Sequence, residues 1–324
     1  MNGERPKIEI FEPFGSAYEL MKIILFQPFD LAKWCVIGFA AFLSGAGRNH
    51  FGFNFRIWRP GAWNFQSATH NNLSNLSTTG ESAPAWMVPL IIAIGLVILV
   101  LVLFFIWLSA RGRFIFVDCV VKNRAAIVAP WREFRREGNT FFLFMLLLAF
   151  LSLLMLVALA LAIVVPLGWF SGDKHSSGFG TMAVFAIVFI GLLWFGFAVF
   201  FAVVTNFMIP VMYIRRCRAI EACRDVSKLL LNRPWPFILF VLFGFVLVLA
   251  LAICGLLVAC LTCCIGALPY ISTVLLLPAI VWLLGFKLLF FRQFGPEYDV
   301  WAGVALPEAP APAPPAPPMP PPIV

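Results

Sequence analysis

Four long stretches of the chain, Trp86 to Ala110, Gly138 to Gly172, Ser176 to Ile214 and Pro234 to Phe286, contain no Asp, Glu, Lys or Arg. A helix crosses a bilayer with roughly 20 apolar residues, so these runs predict membrane spans. The last is long enough for two. Adding a shorter apolar segment near the N terminus gives about six spans: Leu31 to Ala46, Trp86 to Ala110, Thr140 to Phe170, Thr181 to Ile214, Pro236 to Cys264 and Ser272 to Phe291. The first is short and has to snorkel Lys33 toward an interface near Trp34, so a segment that only dips into the membrane competes with a full span there. The pattern predicts an all-α fold, a polytopic transmembrane helical bundle.

The polar segments between the runs are unequal in charge. Arg111, Arg113, Lys122, Arg124, Arg132, Arg135 and Arg136 crowd the connection after the second span, and Arg215, Arg216, Arg218, Arg224, Lys228 and Arg233 crowd the one after the fourth. The connections after spans one, three and five carry Arg48, Arg56 and Arg59, then Lys174, then nothing. The positive-inside rule therefore predicts a multi-pass protein of the cytoplasmic (inner) membrane with both termini cytoplasmic.

Composition agrees. Of 324 residues, 62% are hydrophobic and 12% charged, against about half and about a quarter in soluble chains. The first twenty residues carry Glu4, Arg5, Lys7, Glu9, Glu12 and Glu19 with no compact apolar stretch and cleavage site, so no cleaved signal peptide is expected. The net charge of +8 marks topology and affinity for a bilayer with anionic headgroups. No nucleic acid is expected as a partner, because no recognisable binding module accompanies that charge.

The segment MKIILFQPF (Met21 to Phe29) returns as SKLLLNRPW (Ser227 to Trp235). In this register Lys22 falls on Lys228, Pro28 on Pro234 and Phe29 on Trp235. A weaker third copy places Ala126, Ile127, Ala129 and Asn139 on Ala219, Ile220, Ala222 and Asn232. Each copy precedes an apolar pair of spans, which predicts three related hairpins, each introduced by a juxtamembrane amphipathic helix. In the third such helix Ile220, Cys223, Val226 and Leu230 form one stripe. In the second, Pro130 suits a first helical position, with Trp131 and Phe134 opposed by Arg132, Glu133, Arg135 and Arg136. The expected organisation is a membrane domain over 1–294, with units of about 14–110, 119–214 and 215–294, and a Pro-rich disordered cytoplasmic tail over 295–324. The segment Pro307 to Val324 suits extended polyproline structure and a protein partner, although an inert tail is slightly preferred.

ILFQPFDLAKW (Ile24 to Trp34), the following IGFAAFLSG and KNRAAIVAPWREFRREGN (Lys122 to Asn139) resemble a family of uncharacterised bacterial and archaeal six-span membrane proteins. More distantly they resemble the membrane-embedded domain attached to some glycerophosphodiester phosphodiesterases. The resemblance implies an architecture from about Gly15 to Gly295 and no activity, because phosphodiesterase chemistry belongs to a soluble metal-binding barrel that is absent here.

Candidate chemistry is sparse. Cys254, Cys260, Cys263 and Cys264 cluster, and Cys260 with Cys263 has C-x-x-C spacing. Gly255, Ala259 and Cys263 also form an i, i+4 ladder suited to close helix approach, and packing is the preferred reading. His50, His70 and His175 fall in outer loops, where convergence would build a metal or hydrolytic site; solvated loop histidines are commoner. Lys287 sits inside the sixth predicted span and can snorkel toward its charged end. The loop Arg48 to Pro84 reads as a plain polar loop despite two sequons, Asn72-Leu73-Ser74 and Asn75-Leu76-Ser77. No catalytic, cofactor-binding or metal-binding residue is assigned. The expected function is that of a non-catalytic membrane scaffold or assembly component. A transporter or channel for a small molecule or lipid is the alternative, and an enzyme using the outer-loop histidines trails both.

Overall fold

The computed structural model describes residues 9–45, 86–170, 177–261 and 269–304, and among them every regular element is helical. In chain order the helices are α1 (Phe11–Phe26), α2 (Leu31–Leu43), α3 (Met87–Val121), α4 (Val128–Glu133), α5 (Arg135–Phe170), α6 (Ser177–Arg215), α7 (Ala219–Asn232), α8 (Pro234–Leu261), α9 (Pro269–Leu275) and α10 (Leu277–Arg292), followed by a single 3-10 turn at Pro296–Tyr298.

Four of these, α3, α5, α6 and α8, are long and apolar enough to cross a membrane. With 35 residues, α3 is roughly 50 Å long at 1.5 Å per residue, well beyond the roughly 30 Å of bilayer hydrocarbon. The excess explains a division along the bundle. The most apolar sections of the four helices are almost wholly unburied, whereas Phe114, Val120, Phe141, Phe207, Met212 and Phe237 are buried at the ends where the chain's charged connections gather. That charged end is a close-packed core, and the sections beyond it present Leu, Val, Ile and Phe outward, as lipid requires.

The two remaining predicted spans differ from the other four. α2 is apolar but has only 13 residues, about 20 Å. Asp30 caps it by accepting from the Ala32 N–H at 2.8 Å, and Gly45, at φ 69°, ends it. Lys33 donates to Asn123 Oδ1 at 2.7 Å rather than snorkelling to headgroups, which pins the start of α2 to the turn after α3. The sixth predicted span is broken at Leu276 into α9 and α10. Pro278 accounts for the break, since it brings no N–H and disfavours helical geometry in the residue before it. α10 is buried along most of its length and packs against α1, with the Trp282 indole donating to the Phe14 carbonyl at 3.2 Å.

The juxtamembrane segments also depart from expectation in detail. In α7 the buried stripe is Ala219, Ala222 and Val226, while Ile220 and Leu231 point outward at 65% and 71% exposure. The small alanines let α7 lie close on α6, and the larger aliphatics are left for a membrane surface. The second segment is only a six-residue helix, in which Pro130 is the third residue, still within the first turn where backbone N–H groups lack helical partners.

Aromatic rings join the helices in the core. Phe207 of α6 meets Phe237 and Phe240 of α8, each at 5.2 Å between ring centroids, and Phe291 of α10 at 5.1 Å. Phe207→Ala is expected to lose about 3–5 kcal/mol, because one ring removal empties a site bounded by three helices. Thermal unfolding of detergent-purified protein reads this directly; an unchanged midpoint would show that the aromatic cluster is not stabilising.

Candidate functional site

The charged end is built around a carboxylate. Asp118 lies three residues before the end of α3 and is fully buried. Its Oδ1 accepts from Lys122 Nζ at 2.7 Å and from the Tyr213 hydroxyl at 3.0 Å. Its Oδ2 accepts from Arg124 Nε and Nη2 at 3.1 and 2.8 Å. The i, i+4 spacing of one helix turn delivers Lys122, the turn after α3 delivers Arg124, and the end of α6 delivers Tyr213. The hydrogen bond to Asp118 holds the Arg124 guanidinium above its ordinary basicity.

Glu133, the last residue of α4, extends the network. It lies 3.7 Å from Lys122 and 3.9 Å from Arg124 and accepts a close hydrogen bond from Arg216. The Arg216 guanidinium lies 3.8 Å over the Phe134 ring, which stacks on Tyr213 at 5.0 Å. Two acids and three cations therefore tie α3, α4 and α6 together through partners that satisfy one another's donors and acceptors.

Two further polar clusters flank this one. The Arg111 guanidinium lies over Trp107 at 4.4 Å and over Trp131 at 4.9 Å, while Asn139 Oδ1 accepts from Arg111 Nη2 at 2.9 Å and from the Trp107 indole at 3.1 Å. On the other side, Arg215 bridges Asp225 of α7 at 2.9 Å and Glu297 at 2.7 Å, fixing the segment that follows α10. Glu137 is buried with no hydrogen-bond partner for Oε2 among the described residues, but in the first turn of α5 it faces the positive end of that helix. Burial pushes the Cys223 thiol up, as suits a packed sulfur.

A cavity of about 430 Å³ opens beside this core, where the end of α2 meets α3 and α5. Its walls include Val102, Phe105, Ile106, Phe141 and Met145, and its charged side chain is Arg113. Lys287 of α10 lies near enough to feel the Arg113 charge.

Little of this was visible as a site in the sequence. Lys287 is partly buried on α10. Cys254 is exposed and apart from the polar clusters. His50, His70, His175, Cys263, Cys264, the side chain of Cys260, the whole loop Arg48 to Pro84 and the tail from Pro307 lie outside the described residues. In the sequence Asp118 stands among basic residues that a topology rule already explains, which hides it as a site. Its signals were the Asp118–Lys122 spacing and its place as the lone acid between Arg113 and Arg124.

No curated protein and no solved structure matches the chain, and nothing supports the likeness to the membrane domain of glycerophosphodiester phosphodiesterases. A family model does match, described as a family of unknown function (DUF7544), and it covers residues 9–302. That match takes in α1 through the turn after α10, the whole of the core described above, and the chain belongs to this family.

Proposed function

We propose that this multi-pass membrane protein is a non-catalytic scaffold of the inner membrane, whose rigid cytoplasmic plate presents the C-terminal tail to a protein partner. The observation that carries this reading is the network centred on Asp118, which locks the connections of three helices at one end of the bundle. A catalytic or transport machine concentrates its polar groups where a substrate can reach them. Here the fully buried acid has both oxygens engaged by the protein's own donors, an arrangement suited to rigidity. The Arg215–Glu297 pair then fixes the base from which the Pro-rich segment departs.

The six-crossing arrangement of three hairpins, with both termini cytoplasmic, is part of the same proposal. α2 runs away from the charged end and α3 runs back to it, which supports α2 as part of the first crossing. α8 leaves the charged end and α10 returns to it, which supports a composite last crossing. In the Lys22/Lys228 register the ends of α1 and α7, Phe26 and Asn232, coincide, and the aligned Phe29 and Trp235 are both exposed. That correspondence supports a common hairpin origin, with exposed aromatics at the membrane surface.

The test compares full-length protein with a version ending at Val304, each reconstituted in nanodiscs after purification from its native membrane. A stoichiometric protein partner retained by the full chain and lost from the shorter one is expected. The transport alternative has the Arg113 cavity in its favour. Facilitated flux of a solute or lipid in proteoliposomes, with no partner on the full-length chain, would overturn the scaffold reading.

A further inference from the structure

We propose that the cavity between α2, α3 and α5 is a binding site for one anionic phospholipid, drawn from the leaflet at the charged end of the bundle. The site would hold the lipid in place and does not require that it be moved, so the inference stands apart from the choice between scaffold and transporter.

The argument starts from one side of α3. Val102, Phe105, Ile106 and Arg113 all line the cavity, with Phe141 and Met145 of α5, one helical turn apart, forming the facing wall. From Val102 to Arg113 is eleven residues, about 16 Å of helix rise. Half of the roughly 30 Å hydrocarbon layer is about 15 Å. The groove thus offers one leaflet's depth of apolar wall with a guanidinium at one end. Val102 and Phe105 are 47% and 54% exposed, so the apolar end is open sideways to the bilayer, while Phe141 beside Arg113 is fully buried.

Among the described residues, the charge at the head of the groove has no acidic partner. Arg113 lies 5.5 Å over the Phe141 ring, but among the described residues no carboxylate comes within ion-pair distance of it. Its nearby charged neighbour is Lys287, a second cation. Four arginines packed nearby do have an acid or an amide acceptor: Asp118 for Arg124, Glu133 for Arg216, Asp225 and Glu297 for Arg215, and Asn139 for Arg111. A phosphate would answer the guanidinium's charge and accept its hydrogen bonds. A free phosphate could do this too. It would leave the apolar groove without an occupant, and only a molecule joining phosphate to an acyl chain meets both ends.

Native mass spectrometry of the full-length chain, released from nanodiscs of mixed phosphatidylglycerol and phosphatidylcholine, tests the proposal. One phosphatidylglycerol per chain is expected to survive delipidation. Arg113→Met should lower its retention at least tenfold, and Lys287→Met severalfold. Val102→Trp, which fills the apolar end and leaves both cations in place, should also lower it at least tenfold and guards against misfolding of the charge variants. Equal retention by folded Arg113→Met and Val102→Trp would overturn the site. So would displacement of the lipid by millimolar inorganic phosphate with no effect of Val102→Trp, since the site would then take a free anion.

Discussion

Asp118→Ala is expected to be among the most damaging single substitutions in the described part of the chain, lowering stability by about 3–5 kcal/mol, the usual effect of removing one partner from a buried charge cluster. The loss has identifiable parts. The Tyr213 hydroxyl loses its acceptor, Arg124 loses both bonds to Oδ2, and Lys122 is left facing Arg124 with only Glu133 at a longer distance. Asp118→Asn keeps one acceptor oxygen but turns an amide donor toward other donors, so it should fall between wild type and Ala. Tyr213→Phe removes one hydrogen bond and should cost about 1 kcal/mol. Thermal unfolding in detergent measures all three, and the Asp118→Ala/Tyr213→Phe pair should be less than additive, as contacting residues are. Wild-type stability in Asp118→Ala would mean that the cluster is a surface charge arrangement and not the lock of the plate.

Gly112→Val is the second large effect, and its cause is backbone contact. A Cβ at Gly112 would lie 2.5 Å from the Leu43 carbonyl carbon and 2.6 Å from the Ser44 nitrogen, atoms that no rotamer change can move. The end of α2 rests directly on α3 there, and Ser109 donates to the Ser44 carbonyl at 3.1 Å. Adding a branched side chain should therefore prise α2 from α3 at a cost of roughly 3 kcal/mol. Gly196→Ala is the control, with nothing within 4 Å of the added carbon, and should be neutral or slightly stabilising by helix propensity. A fall in unfolding temperature for both variants alike would show that the effect is not specific to the α2–α3 contact.

These two sites show what the sequence could and could not disclose. The four uncharged runs read directly as α3, α5, α6 and α8, because a bilayer imposes length and apolarity on each helix separately. α2 and the α9–α10 pair were harder, because tertiary contacts define them: a glycine stop against α3 in one case, a proline break within a buried helix in the other. Gly112 looked like any glycine in an apolar helix, since nothing nearby in sequence says that Leu43 will press against it. Asp118 was hidden differently. A rule that counts cations to orient a membrane protein assigns the surrounding charge a sufficient purpose, and the few acids among seven basic residues of that connection, Asp118 included, then seem incidental. In α7 the inward stripe was legible in Cys223, Val226 and Leu230 but not at its start, where Ala219 and Ala222 are buried for closeness while the more hydrophobic Ile220 faces outward.

The pairing of α1 with α10 has a consequence for how the protein is made. Leu20 and Ala17 of α1 rest against Gly285 of α10, so the first described helix has its partner in the last one. Closing so long a loop adds little to the equilibrium cost, which grows only logarithmically with length. In time, however, α1 has to wait with Ala17, Leu20 and Ile24 uncovered until translation reaches α10. A chain halted before Leu277 thus keeps the α1 face that α10 covers open to other partners, a difference between an unfinished molecule and a completed one.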